Sequence, residues 1–353
     1  MLQPLRIPDG YYWSAQLPDE PLAGNAYFLA GDGGNVLIDP VPAGEAVHRA
    51  IAQLGGVATI ALMTASRQTV AREFAARYGA KLIAETEHRR PIAPGIRAIR
   101  LPGQRRPSEY ALALAAHATV VAGDALRGTP AGALSLPPEM DESARRTAAL
   151  GLRAILCENP TTLLLSVGQS LWSDAYAALY DLLYAHAGAE ILRINLDELE
   201  FRDERSERRV QPPQYTTSSA EVGFVIGARR LGFRVSTLDP GRRFCPLHGH
   251  AAEEELFFVI DGAPSVRTLS GTIRCRKGDF IALPVGQTGT HQLLNESDAP
   301  ATVLLLGRTE PFEVCYYPDS DKLLVDSPEP LIAGRSSVIV KGTPDLDYFH
   351  DES

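Results

Sequence analysis

Three histidines and a glutamate in the C-terminal part of the chain carry the strongest chemical signal. His248 and His250 stand two apart in CPLHGHAAEEELFFVIDG. Residues two apart in a strand point to one face, so this pair delivers two imidazoles to a single point. The loop AAEE resets the phase, and Glu255 opens a strand that ends at Asp261-Gly262. His291 follows about forty residues later in GTHQLLNES, at the head of another apolar strand. Three neutral imidazoles and one carboxylate suit a single divalent transition metal: Zn, Fe, Mn or Ni, with Cu also compatible. Such a set leaves coordination positions open, as a catalytic site requires. Glu254 competes with Glu255 for the carboxylate position. No general base can be named; Glu253 and Glu254 are available, but acids beside a strand are usually only solvated.

The elements that position these groups form an all-β region. Runs such as FRVSTLDPG, EELFFVIDG, SVRTLSG, TIRCRKGD, FIALPVG, THQLLN and ATVLLLG alternate with turn residues every eight to twelve positions, the pattern of a sandwich or barrel. Phe257, Val259, Ile281 and Leu283 alternate within them, and core packing is their expected job. Gln292 and Asn295 are candidates to support the imidazoles by hydrogen bonding, with turn capping an alternative for Asn295. Cys245 is expected to be a small buried hydrophobe.

At this point the segment Gly241 to Gly262 resembles the first cupin motif: a Gly, HxH, then a Glu seven residues before a Gly. Gly278, Pro284, Gly286, His291 and Asn295 are similar to the second motif, with two extra residues between Gly286 and His291. The resemblance covers roughly 215–353. It implies a double-stranded β-helix barrel with the ligands His248, His250, Glu255 and His291, and its spacing to Gly262 selects Glu255 over Glu254. The segments YYPDSDKLLVD and DLDYFHDES resemble the ends of a group of bacterial cupins with no known reaction. Cupins of this kind are often dimers, so a homodimer is an expectation.

The first 200 residues read differently. Strand-like NAYFLAG, NVLIDP, TIALMT, KLIAE and ATVVAGD alternate with helical AGEAVHRAIAQLG and RQTVAREFAARYG, each closed by Gly. SARRTAALGL and SDAYAALYDLLYAHAG carry helical spacing behind an expected Ser N-cap. Alternation of this kind implies a layered α/β domain. The charged, then Pro-containing, then Ser/Thr-rich stretch from 198 to 219 marks the boundary, which predicts domains at 1–200 and 219–353 joined by a linker at 201–218.

Residues 20 to 185 resemble the metallo-β-lactamase fold, a four-layered αββα sandwich, in NAYFLAGDGGNVLIDP, ATVVAGDAL and TTLLLSVGQSLW. The HxHxDH ligand motif of that family aligns after Thr64, where Ala65, Arg67, Thr69 and Val70 stand instead. Gln169 replaces another His, and Asp124 survives alone. His48, His88, His117 and His186 are scattered. The resemblance therefore implies a domain that keeps the fold without the metal chemistry.

The chain has 353 residues and a net charge of -9, which argues against a phosphate-backbone partner, and its densest Arg stretch, FRDERSERRV, is interleaved with acids. Four widely spaced cysteines form no CxxC and imply reduced thiols. With no signal-peptide pattern and no apolar stretch of spanning length, a cytoplasmic setting without membrane or nucleic acid is expected. Two functions follow: a metal-dependent enzyme (dioxygenase, isomerase or lyase type) acting on a small oxygenated molecule, or a non-enzymatic protein that binds or senses a small molecule. Fold alone does not choose between them.

Overall fold

The computed structural model describes residues 1–18, 20–106, 109–203, 212–329 and 336–342. It divides into two compact units, Met1–Arg193 and Ile194–Ser353. Most of the central linker stretch, 204–211, and the DLDYFHDES tail lie outside the described residues.

In the first unit, β1 (Gln3–Pro4), β2 (Gly10–Ala15), β3 (Gly24–Leu29), β4 (Val36–Ile38), β5 (Thr59–Ala61) and β6 (Lys81–Ile83) form one sheet in that order. Pairing is antiparallel up to β4 and parallel across β4, β5 and β6. The parallel steps are bridged by α1 (Glu45–Gln53) and α2 (Gln68–Tyr78), as parallel neighbours require. The second sheet runs in the order β11-β10-β9-β8-β7, from β7 (Pro91–Ala93), β8 (Ile96–Arg100), β9 (Tyr110–Leu114), β10 (Thr119–Ala122) and β11 (Thr162–Leu165). The two sheets share a core of Tyr27, Ile38 and Met63 against Ala98, Leu112 and Leu164. The other face of the first sheet buries Phe28, Leu37 and Ile60 with Val47 and Ile51 of α1 and Phe74 of α2. The remaining helices are α3 (Glu142–Gly151), α4 (Arg153–Leu156) and α5 (Ala175–Ala187).

Both expected Ser caps are corrected. Asp141, not Ser143, caps α3, its side chain accepting from Ala144 N at 2.8 Å. Asp174, not Ser173, precedes α5; it sits at φ 55° and makes no side-chain cap. Gly79 does end α2 in the left-handed region, at φ 65°, where a side chain would be strained. Among the described residues no helix is long and apolar enough to cross a membrane, and no cysteine is in a disulfide.

The second unit is rich in antiparallel strands. One sheet has the order β12-β13-β14-β21-β16-β19, built from β12 (Arg202–Asp203), β13 (Ser218–Glu221), β14 (Leu231–Leu238), β16 (Glu255–Asp261), β19 (Phe280–Leu283) and β21 (Ala301–Arg308). A second pairs β15 (Gly249–His250), β22 (Glu313–Tyr317), β23 (Lys322–Asp326) and β24 (Ser337–Lys341). A third has β18 (Gly271–Arg274), β17 (Ser265–Thr268) and β20 (His291–Leu294). Phe257, Val259, Ile281 and Leu283 turn into one core with Val266 and Leu293 of the third sheet. Their strand neighbours alternate outward, to the extent that Phe280 is 72% exposed.

Candidate metal centre

Local strand geometry brings the predicted residues together. His248 and His291 face each other as a backbone bridge, His248 N on His291 O at 3.0 Å and the reverse at 2.8 Å. His250 is the last residue of β15 and Glu255 the first of β16. Glycine between the two histidines is a steric necessity. A Cβ on Gly249 would lie 2.5 Å from the Tyr316 ring and 2.8 Å from Thr290 Oγ1, and the hydroxyls of those two residues bond each other. Gly307 stands opposite Glu255 in the register with β21, and a Cβ there would lie 3.3 Å from Glu255 Cγ.

One ligand-type atom from each of His248, His250, Glu255 and His291 falls within 4.8 Å of the others. Glu255 Oε2 is 3.3 Å from His250 Nε2 and 3.0 Å from His291 Nε2. Glu254 is exposed, so the competing carboxylate lies outside the cluster. Glu253 is also not simply solvated: its Oε1 accepts from Glu310 N at 3.1 Å.

The far side of each ring fixes its tautomer. His248 Nδ1 is 3.0 Å from Pro246 O, and His291 Nδ1 is 2.8 Å from Gly289 O. A carbonyl only accepts, so those nitrogens carry the protons and each Nε2 keeps a lone pair. His250 Nδ1 lies 3.4 Å from Cys315 Sγ, and Cys245 Sγ is 3.5 Å from His248 Nδ1. His250 Nε2, His291 Nε2 and Glu255 Oε2 are buried and have no hydrogen-bond partner. Bare lone pairs converging in a buried place, held by groups behind them, fit a divalent cation.

The electrostatics agree. Burial, with the neighbouring His291 and His250, lowers His248 to about 4. Burial also opposes charge on His250, but Cys315 and Glu255 overcome it and push the ring up to about 10. Burial raises Glu255, yet its contacts with His250 and His291 hold the carboxyl well below the usual range.

Three residues that sequence reasoning did not assign support the cluster. Glu313, 5% exposed, accepts from the amides of Ala251, Ala252, Glu253 and Val314. His250, Glu313 and Cys315 also lie close enough together to hold a cation, but the Glu313 oxygens are committed to those four amides. Tyr317 stacks on His248 with ring centroids 5.7 Å apart. No spacing rule links residues some sixty positions apart. Gln292 and Asn295 do not bond the imidazoles. Gln292 Nε2 donates to Cys245 O at 2.7 Å, and Asn295 holds a turn through Leu238 O and Ala299 O. Backbone carbonyls do the supporting instead.

In the first unit no group of described residues is arranged to hold a metal. Arg67, 2% exposed, donates Nη1 to Asn25 O at 2.6 Å and Asp39 O at 2.8 Å, and Nη2 to Ser166 O. Asn25 and Asp39 belong to the first sheet and its margin, while Ser166 follows β11 of the second, so one guanidinium ties both sheets together. Asp39 is itself buried and accepts from Met63 N, Thr64 N and Thr64 Oγ1. Asp124 accepts from Ala65 N at 3.3 Å and lies 3.7 Å from Arg106. Gln169 is exposed.

Comparisons agree with this division. The profile of the metallo-beta-lactamase superfamily matches residues 2–185, and that of the cupin domain matches 234–307. Among solved structures, the chain is similar to a sugar phosphate isomerase of the cupin superfamily from Silicibacter pomeroyi, at 26% identity over 43% of this chain and 97% of that one, TM-score 0.36. A putative sugar phosphate isomerase from Acidithiobacillus ferrooxidans matches at 21% identity over 43% and 93%, TM-score 0.36. The polyketide cyclase RemF from Streptomyces resistomycificus matches at 17% over 33% and 79%, TM-score 0.28. A search of curated proteins finds no match.

Proposed function

We propose that this chain, which belongs to the metallo-beta-lactamase superfamily through residues 2–185 and carries a cupin domain at 234–307, binds one divalent transition metal on His248, His250, Glu255 and His291 and acts there on a small oxygenated molecule. The observation that carries this reading is the tautomer lock. Pro246 O and Gly289 O take the Nδ1 protons of two rings, which leaves each Nε2 a lone pair, and that of His291 lies 3.0 Å from Glu255 Oε2.

When bound, the metal would supply Lewis-acid polarisation or activation of water or dioxygen. The chain's own residues hold its donors in place. Cys315 and Cys245 sit behind His250 and His248, Phe257 meets His291 edge-on at 5.2 Å, and Tyr317 covers His248. The substrate class is a small molecule with oxygen donors, and the reaction is of the dioxygenase, isomerase or lyase type. An αββα layering of the first unit and a closed barrel in the second belong to the same proposal, supported by the shared sheet-to-sheet cores.

The test is elemental analysis of tag-free protein beside His248→Ala and His291→Ala. About one first-row divalent metal per chain is expected in the wild type and little in either variant. A wild type that stays metal-free after loading with each candidate ion would overturn the reading. Metal binding with saturable ligand uptake but no turnover would move the assignment from enzyme to sensor.

A further inference from the structure

The three imidazoles of the metal cluster are held from behind in two different ways. His248 and His291 each set Nδ1 against a backbone carbonyl, Pro246 O at 3.0 Å and Gly289 O at 2.8 Å. His250 has no carbonyl there. Among the described residues, its Nδ1 meets two side-chain groups, Cys315 Sγ at 3.4 Å and Glu313 Oε2 at 3.8 Å. The second distance is too long for a hydrogen bond, and the Glu313 oxygens already accept from the amides of Ala251, Ala252, Glu253 and Val314. One sulfur is left as the partner of that nitrogen.

Sheet pairing puts the sulfur there. His250 and Cys315 stand directly opposite in the register of β15 with β22, so their side chains share a face. The place is dry: His250 is 9% and Cys315 5% exposed. A metal on Nε2 requires the ring proton on Nδ1, because a neutral imidazole has one N–H and one lone pair. An N–H at that depth is costly without an acceptor. Cys245 provides a built-in comparison, since its Sγ lies 3.5 Å from His248 Nδ1, but that ring also has Pro246 O. Substitution can remove a thiol and leaves a backbone carbonyl in place.

We infer that Cys315 is the positioning residue of His250: its sulfur accepts the Nδ1 proton and so keeps the Nε2 lone pair turned to the metal. Provided that the four-residue site holds a cation as proposed above, Cys315 sets its affinity without touching the ion. Cys245 carries much less of this load, because the carbonyl behind His248 does the same work.

The test uses full-length protein loaded with cobalt(II), in which the N–H protons of ligating imidazoles give proton signals shifted far from the rest of the spectrum and lost on exchange into D2O. The wild type should show three such signals, one from each ring. Cys315→Ala should weaken cobalt and zinc binding by about 10- to 100-fold in competition with a chelator. One N–H signal should then exchange much faster, while the other two stay in place and report an intact fold around the site. Cys315→Ser keeps an acceptor and should recover most of both effects, and Cys245→Ala should lose far less affinity than Cys315→Ala. Equal losses from Cys245→Ala and Cys315→Ala, a serine no better than alanine, or three equally protected N–H signals in Cys315→Ala would each overturn the assignment of Cys315 and leave the metal site standing. A wild type that takes up neither cobalt nor zinc would overturn the metal site itself, and the role of Cys315 with it.

Discussion

The amide of Glu253 donates to Glu313 Oε2 at 2.6 Å, across sixty residues of sequence. The loop that carries Glu255 from His250 into the cluster is therefore held by a buried carboxylate on β22, the strand paired with β15.

From that relationship, Glu313→Gln should loosen metal binding without removing a ligand. A glutamine keeps one acceptor oxygen and turns N–H donors toward amides that are themselves donors. The expected loss is roughly 2–4 kcal/mol of stability in the second unit and about 10- to 100-fold in metal affinity, the usual weight of a group that orients ligands. Thermal melts and competition with a graded chelator measure the two. Unchanged affinity in a destabilised variant would make Glu313 a purely structural residue.

Gly249→Ala should disturb the cluster from the opposite side. The new methyl would crowd Thr290 Oγ1 and the Tyr316 ring, and overpacking of this kind costs about 1–3 kcal/mol. Removing the obstacle tests the cause: in a Tyr316→Ala background the same change should cost much less, and a double-mutant cycle reads the coupling. Additive effects would mean that the glycine is needed for another reason.

The cluster was legible in the sequence because strand periodicity is local: His248 and His250 share a face whatever the rest of the chain does. The choice of Glu255 over Glu254 needed the family spacing, and the exposed Glu254 agrees with it. Glu313 and Cys315 were not legible, because their partners are set by sheet pairing between β15 and β22, not by sequence distance. Helix positions were readable from apolar spacing, but caps were not: Asp141 and Ser143 both suit an N-cap, and only the backbone decides which one receives the Ala144 amide. The strands β8 and β9 were missed, since IRAIR and YALAL mix alanine into short runs whose burial comes from the facing sheet.

Arg67 should prove the largest single contributor to the polar framework of the first unit. Arg67→Met would strip donors from Asn25 O, Asp39 O and Ser166 O, all of which lie inside the protein. A loss of about 3–5 kcal/mol is expected. Arg67→Lys should recover little of it, because an ammonium is a point donor and cannot span three carbonyls as a planar fork does. Both tryptophans, Trp13 and Trp172, belong to this unit, so their fluorescence follows its unfolding alone. Wild-type stability in Arg67→Met would dismiss the staple.

Glu109 should make the first unit less stable as pH rises. Burial pushes its carboxyl up to about 7; Arg106 works against that, and Asp124 and Asp39 add to it. At pH values below about 4.5 the acid is protonated in both folded and unfolded chains and contributes nothing to pH dependence. Between that point and about 7 the unfolded chain gives up the proton while the folded chain retains it. The folded state then binds more protons, so stability falls with rising pH, and above 7 the loss is complete at up to about 3 kcal/mol. Asp124, raised chiefly by burial and then by Asp39, tilts the curve the same way. Glu109→Gln removes the titration while keeping the shape of the side chain. Denaturant unfolding followed by tryptophan fluorescence from pH 5 to pH 8 should therefore show a flatter profile for the variant, with its advantage over wild type growing toward pH 8. A variant that kept the wild-type slope would place the responsible group elsewhere.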